Sequence, residues 1–172
     1  MTKKYLRFFV FLLLGILAGW MAFQTSQRLK ANQQALTHRQ QLPNFVVYTL
    51  DSIQFASTHL RSDRPTVLVY FHSECGHCQY EARELKKHAG AFAQVNLLLI
   101  STENLSRLRA FSQAYGLEKL PLSHMSASDV FRTFGSVPVP SLFVYNAQRK
   151  LVKHFQGETK MESVLKAMNN AN

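Results

Sequence analysis

The chain has 172 residues with a hydrophobic fraction of 47%, enough for one packed domain plus an appendage and far from the composition of a disordered chain. Its 20 Lys and Arg stand against 10 Asp and Glu, a formal charge of +10. The basic residues are scattered and alternate with no exposed aromatics, which argues for a solvated basic surface and against nucleic acid. Two cysteines, Cys75 and Cys78, are too few and too close for a structural disulfide framework, and such a small loop constrains the unfolded chain little.

Residues 6–23 read LRFFVFLLLGILAGWMAF. With Arg7 as its one charge, this run of about 18 residues is near the minimum for a helix spanning a bilayer. Lys3, Lys4 and Arg7 favour a cytoplasmic N-terminus, against which Arg28 and Lys30 act weakly, while Trp20 and Phe23 sit where interfacial aromatics belong. A cleaved signal peptide needs small residues that Gly19-Trp20-Met21-Ala22-Phe23 does not supply, and no cysteine follows for lipid attachment. The expected organisation is therefore a cytoplasmic tip at residues 1–5, a transmembrane anchor at 6–23, a polar stalk at 24–42, helical or flexible, and a folded domain at 43–172.

In that domain, NFVVYTL at residues 44–50 suits a strand, with 53–56 as its hairpin partner. PTVLVYF at 65–71 and VNLLLI at 95–100 are continuous apolar runs of the kind that forms strands buried on both faces. Helices are expected over 76–88, over 103–115 with Gly116 as its stop, and over 127–134. A hairpin of 141–145 and 151–155 follows. Beyond Gly157 comes an amphipathic helix carrying Met161, Val164, Leu165 and Met168. Alternating strands and helices closed by a hairpin and a helix predict an α/β domain with a mixed sheet.

The chemistry concentrates where the first buried strand meets a helix, at His72-Ser73-Glu74-Cys75-Gly76-His77-Cys78. A cysteine at a helix N-terminus has free backbone N–H groups and the macrodipole to favour its thiolate. Cys78, one turn in, is shielded yet within reach, so a mixed disulfide on Cys75 can be resolved by its attack. Gly76 leaves the approach open, and a protonated His77 would stabilise a neighbouring thiolate. Glu81 faces the same side of the helix as Cys78, where it is either a desolvated carboxyl that takes the Cys78 proton or an ordinary solvent-facing glutamate. Pro140, directly before a buried strand, suits a cis bond, and such a turn would offer the Val139 carbonyl and N–H to an incoming polypeptide.

FHSECGHCQYE after a strand, SVPVPSLFVYN and the Gly157 helix together resemble the thioredoxin superfamily, and within it the membrane-tethered, extracytoplasmic TlpA-like and ResA-like proteins. The resemblance spans residues 43–168. It implies Cys75 as the attacking thiol, Cys78 as the resolving one, Glu81 as a family carboxylate and Pro140 as the cis-proline. It further implies a thioredoxin-like mixed sheet flanked by helices, no cofactor, and a role in reducing disulfides of protein substrates outside the cytoplasm; the upstream electron donor is either a transmembrane thiol reductase or a soluble thioredoxin partner, and the chain is taken as a monomer. Two departures stand out: Glu74 occupies the place where the family usually has Trp, and the Gly-His dipeptide is that of the more oxidising disulfide isomerases. Val69 stands where cytoplasmic thioredoxins keep a buried Asp.

Two rival chemistries bear on the same residues. His72, Cys75, His77 and Cys78, with His124 as a distant ligand, have the donor types for copper or zinc, although adjacent residues at a helix start rarely aim at one ion. A peroxidase would need a threonine-rich setting before Cys75, which His72-Ser73-Glu74 does not provide.

Overall fold

The computed structural model describes the backbone of residues 2–171, and within the first helix the side chains from Phe11 onward except those of residues 31, 32, 35, 36 and 38. That helix, α1 (Thr2–His38), runs unbroken through the expected anchor and most of the stalk, about 55 Å at 1.5 Å per residue; the last stalk residues, Gln41 and Leu42, already bond to the folded domain at Lys150 and Arg149. From Phe11 to Phe23 its large apolar side chains all face outward, Phe11, Ile16, Trp20 and Phe23 among them. Among the described residues no helix is long and apolar enough to cross a membrane. The side chains of residues 6–10, the first part of the expected span, lie outside the described residues.

The remainder is a seven-stranded sheet with helices on both faces. Its strands are β1 (Val46–Thr49), β2 (Gln54–Ala56), β3 (Thr66–Tyr70), β4 (Asn96–Ser101), β5 (Leu122–His124), β6 (Ser141–Tyr145) and β7 (Leu151–Gln156), in the spatial order β2-β1-β5-β4-β3-β6-β7. β3, β4 and β5 run parallel, while the hairpins at the two edges are antiparallel. The central strands are buried on both faces, so β3 and β6 read as unbroken apolar runs instead of alternating.

One face carries α2 (Gly76–Lys87), α3 (Leu105–Tyr115) and α5 (Met161–Asn169), packed on Val67, Val69, Leu99, Leu142 and Val144. The other carries α4 (Ala127–Phe134), with Val130 and Phe134 against Leu68, Leu98, Phe143 and Tyr145. Arg39, just past α1, donates to the carbonyl of Phe134 at 3.2 Å and lies over the Phe143 ring, so the end of the first helix is seated on this second face.

The observed elements differ from the sequence expectations in two places that matter. β5 is not visible in the sequence, because three residues between Pro121 and Met125 show no periodicity of their own; it exists through pairing with β4 and β1. His124 is therefore a half-buried strand residue. The helix expected from residue 103 starts at Leu105, because Asn104 caps it by accepting from the Arg107 N–H at 2.9 Å. Glu103 is left in the loop before the cap, with consequences at the site.

Candidate active site

β3 delivers the chain to the site. Its ladder is extended by Phe71 N–H to the Ile100 carbonyl, after which His72–Glu74 form a short loop into the helix. Cys75 is the N-cap of α2, with extended backbone angles (φ −83°, ψ 117°) and no side-chain cap bond of its own. Its sulfur therefore stands at the helix start, half-buried, and points to the Val139 carbonyl at 3.8 Å. The Val139–Pro140 peptide is cis, and Pro140 leads directly into β6. Cys75, Gly76, Val139 and Pro140 are thus brought to one place from positions far apart in sequence.

Cys78 lies one turn inside α2, 2% exposed, among Ala82, Leu85 and the apolar face of the sheet. Both cysteines are thiols in this structure. Burial pushes the Cys78 thiol up to about 12; the His72 backbone pulls it back, while Cys75 and the Glu81 charge add to the rise. Such a thiol does not ionise unaided near neutral pH.

Glu81 is 1% exposed, which removes the alternative of a solvent-facing glutamate. Burial pushes its carboxyl up to about 7, with a bond from the Thr159 N–H (3.4 Å to Oε2) lowering it and the charges of Glu158 and Glu84 raising it. Its other oxygen, Oε1, is buried and has no hydrogen-bond partner. A carboxyl that titrates near neutrality beside a thiol that cannot ionise alone is the pairing that proton transfer to and from Cys78 requires. Val69 is buried and apolar, so Glu81 is the buried carboxyl beside the pair.

His77 points away from the sulfurs: its Nδ1 meets Glu158 Oε2 at 2.7 Å. His72 is also engaged, with Nδ1 accepting from the Glu74 N–H at 3.3 Å and Nε2 lying 3.8 Å from Glu103. His124 Nδ1 contacts the Glu103 carbonyl at 2.8 Å. His72 and His124 are thus both engaged with Glu103 and His77 with Glu158, and among the described residues no group of three or more His, Cys, Asp or Glu is arranged to hold a metal ion.

Two features of the site were not read from the sequence. Glu74, in the place of the family's Trp, is ion-paired with Arg107 at 2.7 Å, so its charge is compensated at the rim and does not stand alone against a Cys75 thiolate. Glu103, 7% exposed, accepts from Ser73 N–H at 2.7 Å and Ser73 Oγ at 2.5 Å, and also from Ser101 Oγ at 3.2 Å. It thereby fixes the loop that presents Cys75. The Asn104 cap was the available signal: a helix starting after Asn104 leaves Glu103 free to fold back over the strand ends.

Burial raises the Glu103 carboxyl, but the Ser73 bonds and the His72 charge outweigh it, so its pKa lies below the ordinary value. A group with a depressed folded pKa stabilises the fold above its unfolded pKa and loses that contribution as pH falls through the folded value. Glu103→Ala should therefore cost about 2 kcal/mol at pH 7, by leaving the Ser73 donors unpaired. The gap between wild type and variant in urea unfolding should narrow below about pH 4; a gap independent of pH would contradict the ionised, bonded state of this carboxylate.

Comparison with known proteins agrees with this architecture. The AhpC/TSA family model matches residues 38–154. The chain is similar to the thiol-disulfide oxidoreductase ResA of Bacillus anthracis, 25% identical over 167 residues that cover 95% of each protein. A secreted Mycobacterium tuberculosis disulfide oxidoreductase homologous to E. coli DsbE superposes with a TM-score of 0.66 at 18% identity, over 78% of this chain and 98% of that one. The peroxidoxin BcpB of the same organism gives 0.66 at 20% identity over 77% and 96%, a likeness of fold alone. With a cysteine at the helix cap, a second one turn inside and a cis-proline across from them, this chain belongs to the AhpC/TSA family as a TlpA/ResA-like member of the thioredoxin superfamily, bearing the CxxC pair of its thiol–disulfide oxidoreductases.

Proposed function

We propose that this protein reduces disulfides of protein substrates outside the cytoplasm. The observation that carries the reading is the burial of Cys78 and Glu81 side by side beneath a half-buried Cys75. In the proposed cycle the Cys75 thiolate attacks a substrate disulfide, forming a mixed disulfide and releasing one substrate sulfur, which takes up a proton. Glu81 then accepts the Cys78 proton, and the Cys78 sulfur attacks Cys75 Sγ. This breaks the mixed disulfide and releases the second substrate sulfur as a thiol. Two electrons have passed to the substrate and the protein holds a Cys75–Cys78 disulfide, which a dithiol donor upstream, such as a transmembrane thiol reductase, returns to the reduced form. Throughout, the backbone of Val139 beside Pro140 is the place for an extended substrate segment to lie, and Gly76, with open space above it, admits the incoming sulfur.

The location rests on α1. Its run of large outward-facing apolar side chains has nothing in the folded domain to cover it, and the sequence of residues 6–23 continues that character toward a basic N-terminus. As a single-pass anchor it would hold one catalytic domain per monomer on the far side of a bacterial cytoplasmic membrane. The similarity to a secreted disulfide oxidoreductase is in keeping with that placement.

Trapping and kinetics test the mechanism, and fractionation and labelling test the location. Cys78→Ser should accumulate a mixed disulfide with a reducible protein substrate, while Cys75→Ser should accumulate none. Glu81→Gln should slow resolution by roughly 10- to 100-fold at pH 7, and the wild-type rate of that step should rise with pH through a midpoint of about 7 that the variant lacks. A Cys78→Ser protein that traps nothing would contradict the mechanism. For location, the chain expressed in bacteria should sediment with membranes and resist alkaline carbonate, and a membrane-impermeant maleimide should label Cys75 in intact spheroplasts. Labelling only after lysis would place the domain on the wrong side.

A further inference from the structure

The loop between β7 and α5 contacts the site at three points. Gly157 N–H donates to the Pro140 carbonyl at 2.8 Å, Thr159 N–H reaches Glu81 at 3.4 Å, and Glu158 pairs with His77 at 2.7 Å. The first two fix the loop against the cis-proline and the buried carboxyl, so Glu158 is held at His77, directly before Cys78. His77 is the feature that most threatens a reducing role. A positive imidazole beside Cys75 favours the thiolate, and stabilising the reduced form makes a disulfide more oxidising. In this structure the imidazole is turned to Glu158 while the Cys75 sulfur is directed to Val139.

We propose that Glu158 is a positioning residue that keeps the Cys75–Cys78 couple reducing, by pairing with His77 and cancelling the charge that the Gly-His dipeptide would otherwise set beside the Cys75 sulfur. The inference rests on the reductase reading above and supplies what that reading lacks, a reason why a dipeptide of oxidising type serves a reductase. The sign follows from charge alone. With the carboxylate removed, the His77 imidazolium is no longer offset, and a Cys75 thiolate beside it is then easier to form and to keep. Both side chains are largely exposed, at 71% and 45%, so the effect is bounded by what solvent-screened pairs achieve.

The test is Glu158→Gln in the full-length chain, solubilised in detergent and equilibrated with glutathione at pH 7 and low salt. In the reaction the protein dithiol gives two electrons and two protons to glutathione disulfide, which becomes two glutathione thiols. The equilibrium constant for this oxidation should fall roughly two- to fivefold in the variant, with the urea midpoint unchanged. In a His77→Ala background the same substitution should leave the constant within error. A Glu158→Gln constant equal to wild type would overturn the proposal, and so would an equal shift with and without His77, which would make Glu158 a remote charge. These outcomes presuppose only that the wild-type pair forms a reversible disulfide; failure of that step would strike the reductase reading itself.

Discussion

The site depends on the cost of burying an acid. A thiol and a carboxyl buried one helical turn apart are both driven toward their neutral forms, since each charge would lack water and the Glu81 charge further raises the Cys78 thiol. Desolvation therefore keeps Cys78 as a thiol and lifts Glu81 to near neutrality, while Cys75, at the open end of the same helix, keeps access to solvent and to free backbone N–H groups. One helix start thus makes two cysteines unequal, one exposed enough to attack and one that needs help to ionise. Ordered attack followed by resolution requires that inequality, and burial alone supplies it.

Around this pair the polar groups are arranged to hold geometry and balance charge. Glu103 fixes Ser73 from below, Arg107 offsets Glu74 at the rim, and the loop after β7 reaches Pro140, Glu81 and His77 together. The two departures from the family pattern, Glu74 and the Gly-His dipeptide, each have an ion-pair partner on a different element. A carboxylate before the first cysteine and an imidazole after it would push a lone thiolate in opposite directions; paired as they are, both are muted. Of the histidines that supplied a metal-binding alternative, His77 is paired with Glu158, and His72 and His124 are engaged with Glu103.

Much of the architecture was legible because it is written in local pattern. Unbroken apolar runs marked β3 and β4, and the expected bounds of α4 and β6 coincide with the observed ones, Pro140 standing directly before β6. The CxxC placement was equally plain, since strand and helix abut there. What could not be read depends on partners distant in sequence. β5 is three residues that become a strand only between β4 and β1, and Glu103 looks like the first residue of a helix until Asn104 is recognised as its cap. Helical spacing left the burial of Glu81 open between two readings, and the Thr159 bond to it and the Glu158–His77 pair come from the return of the chain after β7, about eighty residues later, which no spacing rule anticipates.

The most direct test is the reduction potential of the Cys75–Cys78 couple in the full-length protein, from free-thiol counts after equilibration with glutathione or dithiothreitol. A reversible two-electron couple near about −270 mV, the thioredoxin range, is the result this account predicts. A value of about −120 to −180 mV would instead mark an oxidase or isomerase, and the absence of any reversible disulfide would contradict the thiol–disulfide chemistry altogether.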